Sequence, residues 1–229
     1  MSGGPSAPGP LSGSRRDPAG LLVAVGVLHA LLFLASYALI ASGPDLAASD
    51  GELAAFYASP GRRRLVLVGL YVMPFAGIAF LWFSMGLRGW LRAGALRAAE
   101  LVWGLYLASS VLYVALFFCG AAATSVVALA SEHARATPDP LLLREFPQFG
   151  GTLFRVFAMR MAAMFVFTTS RLGQLAGVVP RWYGRVGLVT GLFLLVSTST
   201  GRWMVLVFPL WLLGLCAHLW RRRRAVPAP

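Results

Sequence analysis

Apolar residues fall in long runs along this chain, and most charged residues lie at the ends of those runs. Six runs approach the length of about 20 residues that a helix needs to cross a bilayer. They cover residues 20–41, 64–86, 100–122, 152–173, 183–199 and 203–220. The pattern predicts an all-α fold, a polytopic transmembrane helical bundle of six spans. The last two runs are short, and residues 198–201 predict a tight turn that joins them as a helical hairpin.

The segments outside the apolar runs divide the chain into three parts. Residues 1–18 are mostly Gly, Pro and Ser, a composition that predicts a disordered N-terminal tail. Residues 19–220 form the predicted six-span domain, and residues 221–229 form a basic C-terminal tail. The first run exceeds the roughly 7–15 apolar residues of a cleavable signal, so we expect it to stay as the first span.

Two connecting segments carry helix signals of their own. Ser49 and Glu52 have the spacing of a capping box, and an apolar stretch follows up to Pro60. This predicts a short outer surface helix before the second span. The third span is expected to continue as helix to about Ala134, and residues 141–146, after Pro140, to lie along the bilayer surface.

Composition and charge support a membrane protein rather than a soluble one. The 229 residues are 58% hydrophobic and 12% charged, against about 25% charged in soluble domains. All 20 basic residues are arginine, and the net charge is +12. Because these arginines lie at the ends of apolar runs, the charge indicates membrane topology and contact with anionic lipid headgroups, not binding of nucleic acid.

The distribution of arginine predicts the orientation, because cytoplasmic loops carry the excess of basic residues. With both termini in the cytoplasm, eleven arginines face that side, at positions 15, 16, 88, 92, 97, 181, 185 and 221–224. Six face outward, at positions 62–64, 135, 144 and 202. The N-terminal and C-terminal tails are therefore predicted to be cytoplasmic.

Arg160 stands inside an apolar run, where a charge costs about 2.5–3.5 kcal/mol or more. No acidic residue occurs at matching depth, and Arg171 lies within about 20° of Arg160 on a helix. One hypothesis is a buried anion site, in which Arg160 and Arg171 bind a carboxylate, a phosphate or a lipid headgroup. The alternative is that Arg160 bonds to free carbonyls and hydroxyls or extends to the interface.

His29 lies at a depth similar to that of Arg160, so it is the third candidate ligand-binding residue. It can accept a hydrogen bond from Arg160 or form a proton-sensitive site, and the alternative is a helix–helix hydrogen bond. Pro74 and Pro209 each free a backbone carbonyl in mid-span, which offers Arg160 further partners.

Recognisable catalytic chemistry is missing from the sequence. There is no GxSxG, HExxH, Walker A or GxGxxG motif, and no group with metal-ligand spacing. We therefore predict no catalytic residue, no metal and no cofactor. Gly187 and Gly191 have the small-xxx-small spacing that permits close helix contact, either inside the bundle or between subunits of a homo-oligomer.

Four stretches resemble a family of small actinobacterial multi-pass membrane proteins, of about six spans and of unknown function. These are residues 52–57, 160–170, 178–182 and 208–211. The resemblance implies the fold and a location in a bacterial plasma membrane, and it transfers no functional residue.

The preferred function is non-enzymatic handling of a small molecule or lipid, or service as an accessory membrane subunit, with membrane lipids as partners. One alternative is an intramembrane enzyme that acts on a lipid through His29 or through outer-loop residues such as Glu132 and His133. A second is a structural protein that dimerises through its fifth span.

Overall fold

A computed structural model describes residues 18–44, 48–92, 100–133, 139–197 and 202–225, and within these ranges the chain is helical and has no strand. The predicted N-terminal tail, except for Pro18, and the predicted turn at residues 198–201 lie outside them. The helices are α1 (Pro18–Ala41), α2 (Asp50–Ala58), α3 (Arg62–Leu67), α4 (Met73–Arg92), α5 (Glu100–His133), α6 (Pro140–Thr152), α7 (Met159–Leu175), α8 (Arg181–Val196) and α9 (Val207–Ala225). The predicted all-α bundle is confirmed.

Five helical stretches of 21 to 36 residues are long and apolar enough to cross a membrane. They are Ala19–Ala41, Arg62–Arg92, Glu100–Glu132, Pro140–Leu175 and Trp203–Arg223. The protein is therefore membrane-embedded. Helix α8 has 16 residues, or about 24 Å at 1.5 Å per residue, which is shorter than the roughly 30 Å hydrocarbon core. A sixth crossing by α8 stays a prediction.

The long helices pack in antiparallel fashion. Gly20 at the start of α1 lies against Arg223 near the end of α9. The beginning of the first described helix and the end of the last one are therefore on the same side of the bundle. We call this end of the bundle the termini end. The opposite end, where α1 finishes and α2 lies, we call the α2 end.

Helix α2 confirms the expected surface helix in its local chemistry. The Ser49 backbone N–H donates to the Glu52 carboxylate at 2.8 Å, and the Glu52 N–H donates to the Ser49 hydroxyl at 3.3 Å, which completes the capping box. At the other end of α2, the Arg62 guanidinium donates to the Tyr57 carbonyl at 2.8 Å. Three consecutive arginines, residues 62–64, are unusual at an outer interface. One of them thus provides a hydrogen-bond donor for a backbone carbonyl at the end of α2.

The second connection follows its sequence signals in where its helices begin and end, and a surface position of residues 141–146 stays a prediction. Helix α5 continues to His133, as expected. Helix α6 begins at Pro140 with Asp139 as its N-cap, whose carboxylate accepts from the Leu141 N–H at 2.9 Å. From there α6, a π-helical segment at Leu153–Ala158 and α7 form one continuous helical stretch.

Glycine permits a close helix contact at the α2 end. A Cβ on Gly150 of α6 would lie 2.4 Å from the Thr124 hydroxyl and 2.7 Å from the Gly120 carbonyl oxygen of α5. Both distances are shorter than van der Waals contact, and one of the atoms is backbone. The crossing of α5 and α6 therefore requires a residue without a side chain at position 150.

We expect Gly150→Ala to lower the free energy of unfolding by about 1–3 kcal/mol, because overpacked helices must move apart. Gly104→Ala is the matched control on α5, since its Cβ would meet nothing within 4 Å. Thermal unfolding in detergent measures both variants. Equal melting temperatures for Gly150→Ala and Gly104→Ala would contradict this account of the crossing.

Candidate functional site

A cavity of about 170 Å³ opens at the α2 end of the bundle. It lies between α1, α2, α5, α6 and the π-helical segment that follows α6. Its lining is mainly apolar and includes Leu53, Phe56 and Tyr57 from α2. A dry cavity of about 150 Å³ holds a benzene-sized molecule, so this cavity accommodates a short hydrocarbon segment rather than a whole lipid.

Aromatic side chains close the cavity on the side of the bundle centre. Phe33, Phe117 and Phe154 pack with ring centroids 5.3 to 6.0 Å apart, and Met73 lies beside them in the lining. We call these four residues the cavity floor. Aromatic pairs at this spacing pack favourably, so the floor is a firm apolar boundary.

Two arginines supply the cations of the cavity lining, and their environments differ. Arg144 donates at 2.8 Å both to an Asp50 carboxylate oxygen and to the Ala48 carbonyl, which ties α6 to the start of α2. Its charge is therefore already balanced, and this pair holds α2 over the cavity.

Arg155 is half-buried, and its Nε–H donates to the Gly151 carbonyl at 3.2 Å. No acidic group within the described part of the chain pairs with it. A guanidinium presents five N–H donors, so four remain for an external group. Gly151 lets the side chain fold back along the helix, since a Cβ there would lie 2.9 Å from the Arg155 Nη2.

Tyr57 adds no negative charge to the cavity. Burial raises the pKa of Tyr57 to about 12, so its phenol stays protonated at physiological pH. Among the described residues, the charged groups of the lining are Arg144, which is paired with Asp50, and Arg155, which has no acidic partner.

Arg160 does not line the cavity. Among the α7 residues that pack on α8 are Phe167, against Gly191, and Ser170, against Gly187. Arg160 is half-buried and, among the described residues, makes no hydrogen bond or ion pair, while Arg171 is exposed.

His29 is completely buried at the centre of the bundle, apart from both predicted arginines. Its Nδ1 lies 2.8 Å from the Ala76 carbonyl oxygen of α4, which forms a helix–helix hydrogen bond. The structure therefore does not bring His29, Arg160 and Arg171 into one site.

Other sequence features also have structural roles. Gly187 and Gly191 are buried against α7, so their close contact is inside the bundle. A π-helical segment at Val68–Val72 comes directly before the residues around Pro74 and accommodates the missing backbone donor. Glu132 lies 3.7 Å from Arg63. Within the described ranges, no three His, Cys, Asp or Glu residues form a metal-binding group.

Comparisons with known proteins give no match, neither among protein-family models nor among curated proteins or solved structures. The resemblance to the actinobacterial family thus stays a prediction, and the site has to be interpreted from its own chemistry.

Arg155 and Arg144 were not among the residues that the sequence pattern selected. Arg155 lies near the start of its apolar run, where cations are common, whereas Arg160 lies in the middle of the run, where they are rare. A signal for it does exist, because Gly150 and Gly151 precede Arg155 by one helical turn and permit a close contact and a folded arginine. That signal does not reveal the residues of α1 and α2, distant in sequence, that line the cavity together with Arg155.

The capping box makes the order of α2 depend on pH. Hydrogen bonds from Ser49 lower the pKa of Glu52 below its ordinary value. The carboxylate thus stabilises α2 fully above the ordinary pKa of glutamate, and this stabilisation is lost as pH falls through the lowered pKa.

We expect hydrogen exchange of the α2 amides, corrected for its intrinsic pH dependence, to accelerate in acid. Glu52→Gln should remove that acid response, because glutamine can complete the box without titrating. Ser49→Ala should accelerate exchange at every pH by removing a cap that contributes about 1 kcal/mol. An unchanged acid response in Glu52→Gln would assign the effect to another group.

Proposed function

We propose that this protein binds an amphipathic anionic molecule, of the lipid or fatty-acid class, in the cavity at the α2 end. One observation carries the proposal: Arg155, half-buried and without an acidic partner among the described residues, lies at the edge of an apolar cavity of about 170 Å³. Ligand sites in proteins are typically apolar with a few placed polar groups.

The two halves of the ligand match the two parts of the site. The cavity takes a hydrocarbon segment, and the planar fork of Arg155 takes the carboxylate or phosphate at its end. Arg144 assists indirectly, because its pair with Asp50 positions α2 above the bound segment. This is the non-enzymatic lipid-handling function expected from the sequence, with the anion site moved from Arg160 to Arg155.

The placement in the membrane is part of the proposal. With six crossings and both termini in the cytoplasm of a bacterial cell, the α2 end faces the outer side of the plasma membrane. The arginine distribution supports this orientation, and so does the contact of Gly20 with Arg223, which joins the two terminal helices at one end.

The proposal predicts that Arg155→Gln weakens binding of phosphatidylglycerol by about tenfold or more, since a hydrogen bond to a charged group contributes about 1.5–3 kcal/mol. Native mass spectrometry in a gentle detergent counts the bound lipid, with phosphatidylcholine as the uncharged reference. Arg160→Gln is the matched control and should leave binding unchanged. Equal loss in both variants would return the anion site to Arg160, and no loss in Arg155→Gln would refute the proposal.

A second variant separates the position of the guanidinium from its charge. Gly151→Ala retains Arg155 but places a methyl group about 2.9 Å from Nη2, so the side chain must turn away. We expect a severalfold loss of phosphatidylglycerol with an unchanged melting temperature. Oleate, measured in the same way, distinguishes a carboxylate ligand from a phosphate ligand. Full binding by Gly151→Ala would show that the folded position of Arg155 is not used.

A further inference from the structure

His29 carries an unused hydrogen-bond acceptor at the centre of the bundle. A carbonyl can only accept, so the Nδ1 of His29 must hold the proton that is donated to Ala76 at 2.8 Å. In the neutral ring, Nε2 then presents a lone pair. This atom is buried and has no hydrogen-bond partner among the described residues.

Tyr113 of α5 presents a second unused polar atom, on a ring adjacent to that of His29. Its side chain is completely buried, its hydroxyl has no partner in the described part of the chain, and its ring centroid lies 6.1 Å from that of His29. Two turns earlier on the same helix, the Tyr106 hydroxyl donates at 2.6 Å to the Ser84 carbonyl. The sequence can therefore satisfy a buried tyrosine where the chain supplies a carbonyl, and at Tyr113 it does not.

Within the described ranges, the surroundings of these two atoms offer no polar partner. Four phenylalanine rings have centroids 5.0 to 6.5 Å from that of His29. They belong to Phe33, Phe80, Phe117 and Phe208. Buried polar atoms in folded proteins are nearly always hydrogen-bonded, to water if not to protein. Two unpaired atoms on adjacent rings in an aromatic enclosure thus point to an occupant that the chain does not provide.

We propose that His29 and Tyr113 form a buried subsite for a hydroxyl group. Nε2 requires a donor, the Tyr113 hydroxyl can donate or accept, and a hydroxyl group satisfies both at once. Either a trapped water molecule or the alcohol group of an apolar ligand supplies this chemistry. The subsite does not use Arg155 and is independent of what the cavity binds.

The subsite lies directly behind the cavity floor. Phe33 and Phe117 line the cavity on one side and pack on His29 on the other. Only one layer of aromatic side chains thus separates the two sites, and rotation of these rings would admit an alcohol from the cavity.

Tyr113→Phe tests the subsite, because an occupied and an empty subsite predict changes of opposite sign in the melting temperature Tm. If a hydroxyl occupies the subsite, this variant loses a hydrogen bond, and Tm should fall by about 2–4 °C. Tyr106→Phe gives the reference fall for a tyrosine whose bond is known. If the subsite is empty, removal of an unsatisfied hydroxyl leaves Tm unchanged or raises it, and that result would overturn the proposal.

Added alcohol distinguishes the two sources of the hydroxyl. Decan-1-ol, compared with undecane, should raise the Tm of the wild type but not of Tyr113→Phe if the occupant is a ligand alcohol. A fall in Tyr113→Phe without any effect of decan-1-ol identifies trapped water. The ¹⁵N chemical shift of His29 Nε2 in labelled wild-type protein provides a readout that needs no variant, and a shift typical of a free lone pair would also overturn the proposal.

Discussion

The contact between Gly150 and the backbone of α5 is the constraint on which the α2 end depends. It brings α6 onto α5 at the Gly120 carbonyl and so fixes where the stretch from Pro140 to Leu175 enters the bundle. One turn later, the same stretch places Phe154 in the cavity floor and Arg155 at the cavity edge. A side chain at position 150 would separate the helices, and the cavity would lose one wall. The candidate site is thus a consequence of one close helix crossing.

Charge balance distinguishes the arginines of this chain from one another. Arg62 satisfies carbonyls at the end of α2, and Arg144 pairs with Asp50. Arg160 does not line the cavity and, among the described residues, makes no hydrogen bond or ion pair. Among these four, Arg155 alone contacts the apolar cavity and has no acidic partner in the described part of the chain. Location against a cavity, and not depth in the apolar run, therefore marks the arginine suited to an external anion.

The bundle contains polar groups of two kinds. Those near the α2 end, such as Ser49, Glu52 and Asp50, are satisfied by short-range caps and one ion pair. Those at the centre lie among aromatic rings, and the His29 Nε2 and the Tyr113 hydroxyl have no partner among the residues that the structure describes. Unpaired polar atoms are costly in an apolar interior, and the hydroxyl subsite is proposed on that ground. The proposed lipid site and the proposed hydroxyl subsite are separated only by Phe33 and Phe117 and their neighbours in the cavity floor.

The sequence by itself determined the features that depend on local periodicity and on local hydrogen bonds. The apolar runs predicted the long helices, the spacing of Ser49 and Glu52 predicted α2, and the helical extension of α5 followed from its composition. Only the tertiary structure decided which side of each helix meets which neighbour. That decision separated His29 from Arg160, buried Gly187 against α7, and moved the candidate anion site to Arg155. The physical reason is that all faces of a membrane helix are apolar, so hydrophobic periodicity does not reveal which face points into the bundle. The inner face is revealed by close contacts in the folded protein, such as that of Gly150 with α5.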